Sequence, residues 1–328
     1  MRPFRFERAT DAEQAVALIA DEPEARYLGG GTNLVDLMRL GVETPAVLID
    51  VARLDGAHSE IDDTPSGGLR IGAAVSNSEL AVDPRVRTLY PVLSEAVLHG
   101  ASGQLRNLAT VGGNLLQRTR CAYFTDVTKS CNKRQPGSGC PAREGHHYNH
   151  AILGHSEQCV ATHPSDMAVA LAALGATVHV QGPGGARTIP IPGLHRLPDT
   201  EPERDTVLEP GELITAVELA APIEGARHRY RKVRERRSFA FALASVAVVL
   251  GLDGDRASEI RIALGGVAHV PWRATRAEEA LTGQPITEER VIRAADAELE
   301  QARPLRENAY KVQLARNLIV TTLLELSK

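Results

Sequence analysis

Hydrophobic and polar positions alternate in period along the chain, and the changes mark its elements. Thr10-Asp11-Ala12-Glu13 is a capping-box pattern that opens a helix running to about Asp21. Ala25 to Leu28 reads as a short strand running into three glycines. Thr32 to Leu40 reads as a helix closed by Gly41, and Val47 to Val51 as a second strand. A further strand is expected over Leu69 to Val75, then helical stretches around Glu79 and from Pro91 to His99, then a glycine-bearing turn at Thr110 to Asn114. Pro164 to Leu174 reads as a helix with Gly175 just past its end, followed by a strand from Ala176 to Val180. A Pro/Gly-rich stretch to about Gly211 is expected to be irregular, and Leu213 to Leu219 to be a strand. A boundary falls near Pro222 to Gly225. Beyond it, Tyr230 to Val233, Ala242 to Leu252 and Ile260 to Leu264 read as three strands of one antiparallel sheet, with three helices after them. In the last helix Ala315, Leu318, Ile319, Thr322, Leu323 and Leu326 share one face. No internal repeat is present.

One segment has no period. Arg118 to Cys159 is polar and rich in Gly, Lys, Arg and His, and it holds all four cysteines of the chain: Cys121, Cys131, Cys140 and Cys159. A loop of this length inside a compact domain is usually functional or disordered, and a bound metal can order a segment that lacks a core. In a reducing compartment, clustered cysteines favour metal binding over disulfides. The spacing C-x9-C-x8-C-x18-C contains neither the close pairs of zinc ribbons nor the C-x2-C-x2-C run of ferredoxins, so four thiolates leave zinc and a [4Fe–4S] cluster both open. Pro136-Gly137-Ser138-Gly139-Cys140-Pro141 can bend round an ion with its N–H groups turned to the sulfurs. The histidines at 146, 147, 150, 155 and 163 lie in the same region and are given no role.

Composition narrows the class. The 328 residues suffice for two or three domains. A net charge of −4 gives no sign of nucleic-acid binding. No apolar run reaches the roughly 18 residues of a membrane span, and Phe239 to Leu252 reads as a buried strand. The N-terminus MRPFRFERAT has no apolar signal core, which predicts a cytoplasmic location; export in complex with a signal-bearing partner would make it periplasmic. With 4% aromatic residues, the core must rest on Ala, Val, Leu and Ile.

Two glycine loops carry the remaining chemistry. In Leu28-Gly29-Gly30-Gly31-Thr32-Asn33-Leu34, uncovered N–H groups at a helix N-terminus suit a pyrophosphate. The loop is neither GxGxxG nor Walker A, and a plain strand-to-helix turn would look the same. Ala109-Thr110-Val111-Gly112-Gly113-Asn114-Leu115 offers a second such surface, and two loops in one domain can close on an extended dinucleotide from both sides. Ser165-Asp166-Met167-Ala168 supplies either a helix cap or an acidic residue for ribose hydroxyls. In Tyr230 to Arg237, alternation puts Lys232, Arg234 and Arg236 on one face, a solvated edge or a cationic wall near an anionic cofactor. No Ser/His/Asp or Cys/His arrangement stands out, so no catalytic residue is expected.

LGGGTNL, ATVGGNLLQ, PSDMAVALAALGA, YRKVRERRSFAFALASVAV and ALGGVAHVPWRA, in this order, resemble the FAD subunit of the xanthine dehydrogenase and carbon monoxide dehydrogenase family. The resemblance covers almost the whole chain. It implies an α+β fold: a two-subdomain FAD-binding module of the vanillyl-alcohol-oxidase (PCMH) type with a cysteine-rich insert, then a C-terminal domain of a small antiparallel sheet plus helices. The implied divisions are 1–60, 61–222 with the iron–sulfur insert at 118–160, and 223–328. The insert with its flanks, LLQRTRCAYFTDVTKSCNKRQPGSGCPA and HAILGHSEQCVATHPSDMAVALAAL, is similar to the flavin subunit of bacterial molybdenum aldehyde oxidoreductases of the periplasmic type, and more distantly to that of 4-hydroxybenzoyl-CoA reductase.

By that resemblance Leu28, Gly29, Gly30, Gly31, Thr32, Asn33 and Leu34 contact the FAD pyrophosphate, and a side chain at Gly30 would fill its space. Ala101, Ala109, Thr110, Gly113, Asn114 and Leu116 line the second side. Ser165 and Asp166 hold the adenosine end, with Asp166 on the ribose, and Ile214 and Lys232 lie near the flavin ring. Cys121, Cys131, Cys140 and Cys159 ligate a [4Fe–4S] cluster. The implied assembly is a heterotrimer. A molybdopterin-binding large subunit oxidises an aldehyde to a carboxylic acid, a small subunit carries two [2Fe–2S] clusters, and electrons collect on FAD in this chain before leaving to an external acceptor. The rivals are a reductase working in the opposite direction on an aromatic thioester, a stand-alone NAD(P)H flavin oxidoreductase with a zinc loop, and a non-catalytic zinc-stapled interaction module.

Overall fold

The computed structural model describes residues 1–328, and three sheets organise them. The first is parallel, with β1 (Arg5–Arg8), β2 (Ala25–Leu28) and β3 (Val47–Asp50) in the order β1-β3-β2. The strand Arg5–Arg8 was not legible because it is almost wholly exposed and shows no apolar alternation. The first helix spans Ala12–Ala20 with Asp11, not Thr10, as its N-cap. Asp11 accepts from the Gln14 amide at 2.8 Å, so the cap sits one residue later than the sequence pattern implied, and the Gln14 side chain accepts from the amide of Thr10, ahead of the cap, at 2.6 Å.

The second sheet is antiparallel, with β4 (Ile61–Asp63), β5 (Leu69–Gly72), β6 (Thr177–Gly182), β7 (Gly185–Pro190) and β8 (Leu213–Leu219) in the order β4-β5-β8-β6-β7. The stretch expected to be irregular therefore contains β7, paired with β6 across a tight turn closed by Gly182 and Gly185. As an edge strand with five of its six residues exposed, it needs no apolar pattern. The expected turn at Thr110 to Asn114 is a short helix, Val111–Leu115, whose N-cap Thr110 accepts from the Gly113 amide.

The third sheet, β9 (Arg227–Val233), β10 (Ala244–Asp253), β11 (Arg256–Gly265) and β12 (Trp272–Arg273), has the order β12-β11-β10-β9 and is antiparallel. Both faces of β10 are covered. Ala247 and Val249 join the core of the central domain, while Val246, Val248 and Leu250 pack on the C-terminal helices Thr275–Leu281, Glu288–Leu299 and Tyr310–Leu326. Double coverage is why β10 reads as a continuous apolar run. The six apolar-face residues expected in the last helix are all buried. Helix Asp166–Leu174 lies between helix Pro91–His99 and β10–β11, with every residue buried, and ends at Gly175 in the left-handed region (φ +66°). No helix is long and apolar enough to cross a membrane.

Candidate functional site

The two glycine loops lie side by side and line one cleft of about 500 Å³, a volume typical of cofactor sites. Thr110 caps its own helix while its hydroxyl lies against Gly29, 2.7 Å from where a Cβ on that glycine would stand. A Cβ on Gly30 would meet the backbone of Leu108 and Ala109, so its lack of a side chain permits loop-to-loop contact. The expectation that a Gly30 side chain would fill the pyrophosphate space is corrected accordingly. Ala101, on the cleft wall, has φ +50°, an uncommon conformation for a residue with a Cβ.

Of the residues expected around FAD, all but Leu28 and Ser165 line this cleft. Ser165 caps the helix Asp166–Leu174 by accepting from the Ala168 amide at 3.0 Å, and its hydroxyl donates to Asn114 Oδ1 at 2.6 Å. It thus ties the second glycine loop to that helix. Asn33 Oδ1 accepts from the Arg118 amide at 2.8 Å, tying the first loop to the start of the cysteine segment.

Asp166 is not free. Lys232 Nζ donates to one of its carboxylate oxygens at 2.7 Å and Tyr230 OH to the other at 2.5 Å. The Lys232 and Asp166 side chains are 1% and 8% exposed. Burial, then the Asp166 charge, hold the Tyr230 phenol well above its ordinary pKa, so it stays a donor. Lys232 also donates to the His99 carbonyl, as does Arg234. Asp166, expected at the adenosine end, and Lys232, expected near the flavin ring, form one ion pair and so stand at one place in the cleft. Strand periodicity explains it, since Tyr230 and Lys232 project from the same face of β9 onto the N-terminus of the Asp166–Leu174 helix.

Sequence reading missed several cleft residues. Arg26, Arg106, Arg118 and Arg120 add positive charge, and Phe239 and Phe241 are exposed aromatic rings at its edge. Arg118 is paired with Glu43 at 2.6 Å and Asp205 at 2.7 Å. Burial lowers the Arg120 guanidinium to about 10, with Asp36 opposing. The sequence LLQRTRC and the SFAFA segment were the available signals, but nothing local marks an arginine or phenylalanine as cleft-facing.

Arg118 and Arg120 line the cleft, whereas Thr119 and Cys121 line a second, small cavity. Cys131, Cys140 and Cys159 line that cavity too, and no carboxylate or imidazole does. A soft all-thiolate donor set suits an iron–sulfur cluster or zinc. Backbone amides favour the thiolate at three of the sulfurs: those of Phe124 and Tyr123 at Cys121, those of Val160, Ala142 and Arg143 at Cys140, and that of Ala161 at Cys159. The four cysteines are free thiols, and no three His, Cys, Asp or Glu side chains stand in metal-ligating geometry. Cys159 instead donates to Cys140, which with the surrounding amides draws Cys140 down to about 6 and raises Cys159, while burial pushes Cys121 up to about 11.

Comparison with known proteins fits this geometry. Residues 2–222 match the family described as FAD binding domain in molybdopterin dehydrogenase, and residues 228–326 match the CO dehydrogenase flavoprotein C-terminal domain. The chain is 48% identical to the aldehyde oxidoreductase FAD-binding subunit PaoB of Escherichia coli K12, over 99% of this chain and 98% of that one. It is 27% identical to the carbon monoxide dehydrogenase medium chain of Hydrogenophaga pseudoflava, covering 96% of this chain and 94% of that one. A solved carbon monoxide dehydrogenase from H. pseudoflava superposes with a TM-score of 0.77 at 27% identity, over 99% of this chain and 97% of that one. Quinoline 2-oxidoreductase from Pseudomonas putida 86 gives 0.74 at 25% identity, over 99% and 96%. With both halves matched and the glycine loops, the cleft and the C-terminal sheet in place, the chain belongs to the family of FAD-binding medium subunits of the xanthine and carbon monoxide dehydrogenases.

Proposed function

We propose that this chain is the FAD and [4Fe–4S] electron-transfer subunit of a molybdenum-dependent aldehyde oxidoreductase. Its partners would be a molybdopterin-binding large subunit and a [2Fe–2S] small subunit, and its product electrons would leave to an external acceptor. The observation that carries the reading is the segment 118–121, which borders the FAD cleft with Arg118 and Arg120 and the cysteine cavity with Thr119 and Cys121. The close similarity to an aldehyde oxidoreductase subunit supports the substrate class.

FAD, when bound, takes up electrons and passes them on. The chain's part is to hold it. Backbone from Gly29 to Leu34 and from Ala109 to Asn114 would flank its pyrophosphate, and Arg26, Arg106 and Arg120 would balance the anionic charge. Asp166, fixed by Lys232 and Tyr230, would present an oriented carboxylate. Leu28 and Ser165 would support the two loops from behind. Cys121, Cys131, Cys140 and Cys159 would ligate the cluster, turning from thiol–thiol contacts to metal coordination.

The test is an absorption spectrum with iron and acid-labile sulfide analysis of protein prepared without air. Non-covalent FAD and about four each of iron and sulfide per chain are expected. About one zinc and no sulfide would reject the cluster, and the loss of one cysteine at a time to serine should release the iron.

A further inference from the structure

His150 is the one side chain other than a cysteine that meets a cysteine sulfur through a nitrogen. Its Nε2 lies 3.1 Å from Cys121 Sγ. The residue is 7% exposed, and its Nδ1 is buried without a hydrogen-bond partner. Toward a metal-bound thiolate, which has no proton to give, the ring can only donate, with its proton on Nε2 and Nδ1 bare.

The backbone that carries the ring is held from the C-terminal domain. The His150 amide donates to the His147 carbonyl at 3.0 Å. Asn308, fully buried ahead of the last helix, donates from Nδ2 to the carbonyls of His150 at 3.2 Å and Ala151 at 3.1 Å. Its own Oδ1 accepts from the Leu305 amide at 2.7 Å, which fixes the amide's orientation. Cys121 and His150 also line a cavity of about 370 Å³ that reaches Asp166, Arg120 and Phe241, all three of which line the FAD cleft as well. The contact therefore lies on the side of the cysteine cluster that faces the flavin.

We propose that His150 donates a hydrogen bond from Nε2 to the Cys121 sulfur and thereby raises the midpoint potential of the [4Fe–4S] cluster. This rests on the cluster reading given above. One-electron reduction adds one negative charge, shared with the thiolate sulfurs, and breaks no bond to hydrogen. A donor aimed at sulfur interacts more strongly with the more negative state, and the low dielectric of a buried site enlarges the difference. Backbone amides do the same at Cys140, but only the His150 donor can be removed by substitution.

The experiment is a dithionite titration of the assembled complex, followed by the electron paramagnetic resonance of the reduced cluster. His150→Leu should keep its iron and sulfide and shift to lower potential, by about 59 mV for a tenfold change in the reduced-to-oxidised ratio. His150→Gln, which retains an N–H, should recover part of the shift. Hyperfine coupling to a ¹⁵N-histidine nitrogen in the unsubstituted protein is expected through the hydrogen bond and requires no variant to fold. An unchanged potential in a fully loaded His150→Leu complex overturns the proposal, as does absent coupling. Iron lost from both variants with all four cysteines intact also overturns it, because His150 would then be a ligand. Unsubstituted protein without iron and sulfide rejects the cluster itself, a result distinct from all of these.

Discussion

A Cβ atom on Gly30 would stand 1.7 Å from the carbonyl oxygen of Leu108 and 2.4 Å from its carbonyl carbon. Ordinary contacts between non-bonded carbons begin near about 3.5 Å, so even Gly30→Ala must drive the two glycine loops apart. The backbone surfaces that would hold FAD lose their spacing, although the substituted methyl does not enter the cleft. Gly30→Ala should therefore purify with at least tenfold weaker FAD retention. Flavin absorbance per chain after dialysis measures it, and full retention would mean that the loops need not touch.

The buried pair of Asp166 and Lys232 makes a second prediction. Lys232→Met leaves the Asp166 carboxylate facing Tyr230 alone, 8% exposed and without its cation. Breaking a buried pair from one side costs about 3–5 kcal/mol. The thermal midpoint of the FAD-free chain should fall by several degrees. Asp166→Asn combined with Lys232→Met removes both charges and should recover part of that fall, while FAD affinity stays reduced in both variants. Recovery of FAD affinity in the double variant would show that the carboxylate serves packing alone.

Lys311 gives the chain a pH dependence. It is fully buried, its Nζ donates to the Gly266 carbonyl at 2.8 Å, and burial lowers its ammonium to about 7. In the unfolded chain it protonates at its ordinary value of 10.5. Between those two values the unfolded state binds more protons, so this residue makes stability rise with pH, by about 1.4 kcal/mol per unit at most, and makes no further change below the lower value. Lys311→Met removes that slope. Its thermal midpoint should exceed that of the unsubstituted chain most at pH 7, and the gap should narrow by pH 9. A gap that does not change with pH would mean that the lysine is not forced toward neutrality.

The elements with a buried face were legible. Ala25–Leu28, Pro91–His99 and Leu213–Leu219 match their apolar patterns, and the double run of β10 was read as buried. Arg5–Arg8, Ile61–Asp63 and Gly185–Pro190 were not, because edge strands with exposed side chains carry no period. At the site, the glycine loops and the cysteines announced themselves by residue type. The partners of Asp166 did not: Lys232 is 66 residues away and reaches it only once β9 is laid against the buried helix. His150 was passed over for a similar reason, since its sulfur contact spans 29 residues of irregular chain.

The isolated chain should not oxidise aldehydes. Conversion of an aldehyde to an acid takes an oxygen from water and releases two electrons and two protons, so some group must activate water beside the carbonyl carbon. Three of the four carboxylates along the cleft are engaged otherwise, and the fourth, Asp36, is exposed to solvent. Asp166 holds Lys232 and Tyr230, Glu43 holds Arg118, and Glu212 holds Arg187. None of the four cysteines lines the cleft itself: Cys131, Cys140 and Cys159 border only the small cavity, and Cys121 reaches the neighbouring one, where His150 meets its sulfur. On the proposed function, a flavin held between backbone loops and arginines would receive electrons, and the carbon–oxygen chemistry would fall to a molybdenum partner. Rapid mixing of the FAD-loaded chain with aromatic and aliphatic aldehydes, without oxygen, should leave the flavin absorbance unchanged. Adding the molybdopterin and [2Fe–2S] subunits should bleach it within the turnover time. Fast bleaching by any aldehyde without those partners would make this chain an oxidase or dehydrogenase in its own right, with a water-activating group that the cleft residues named here do not include.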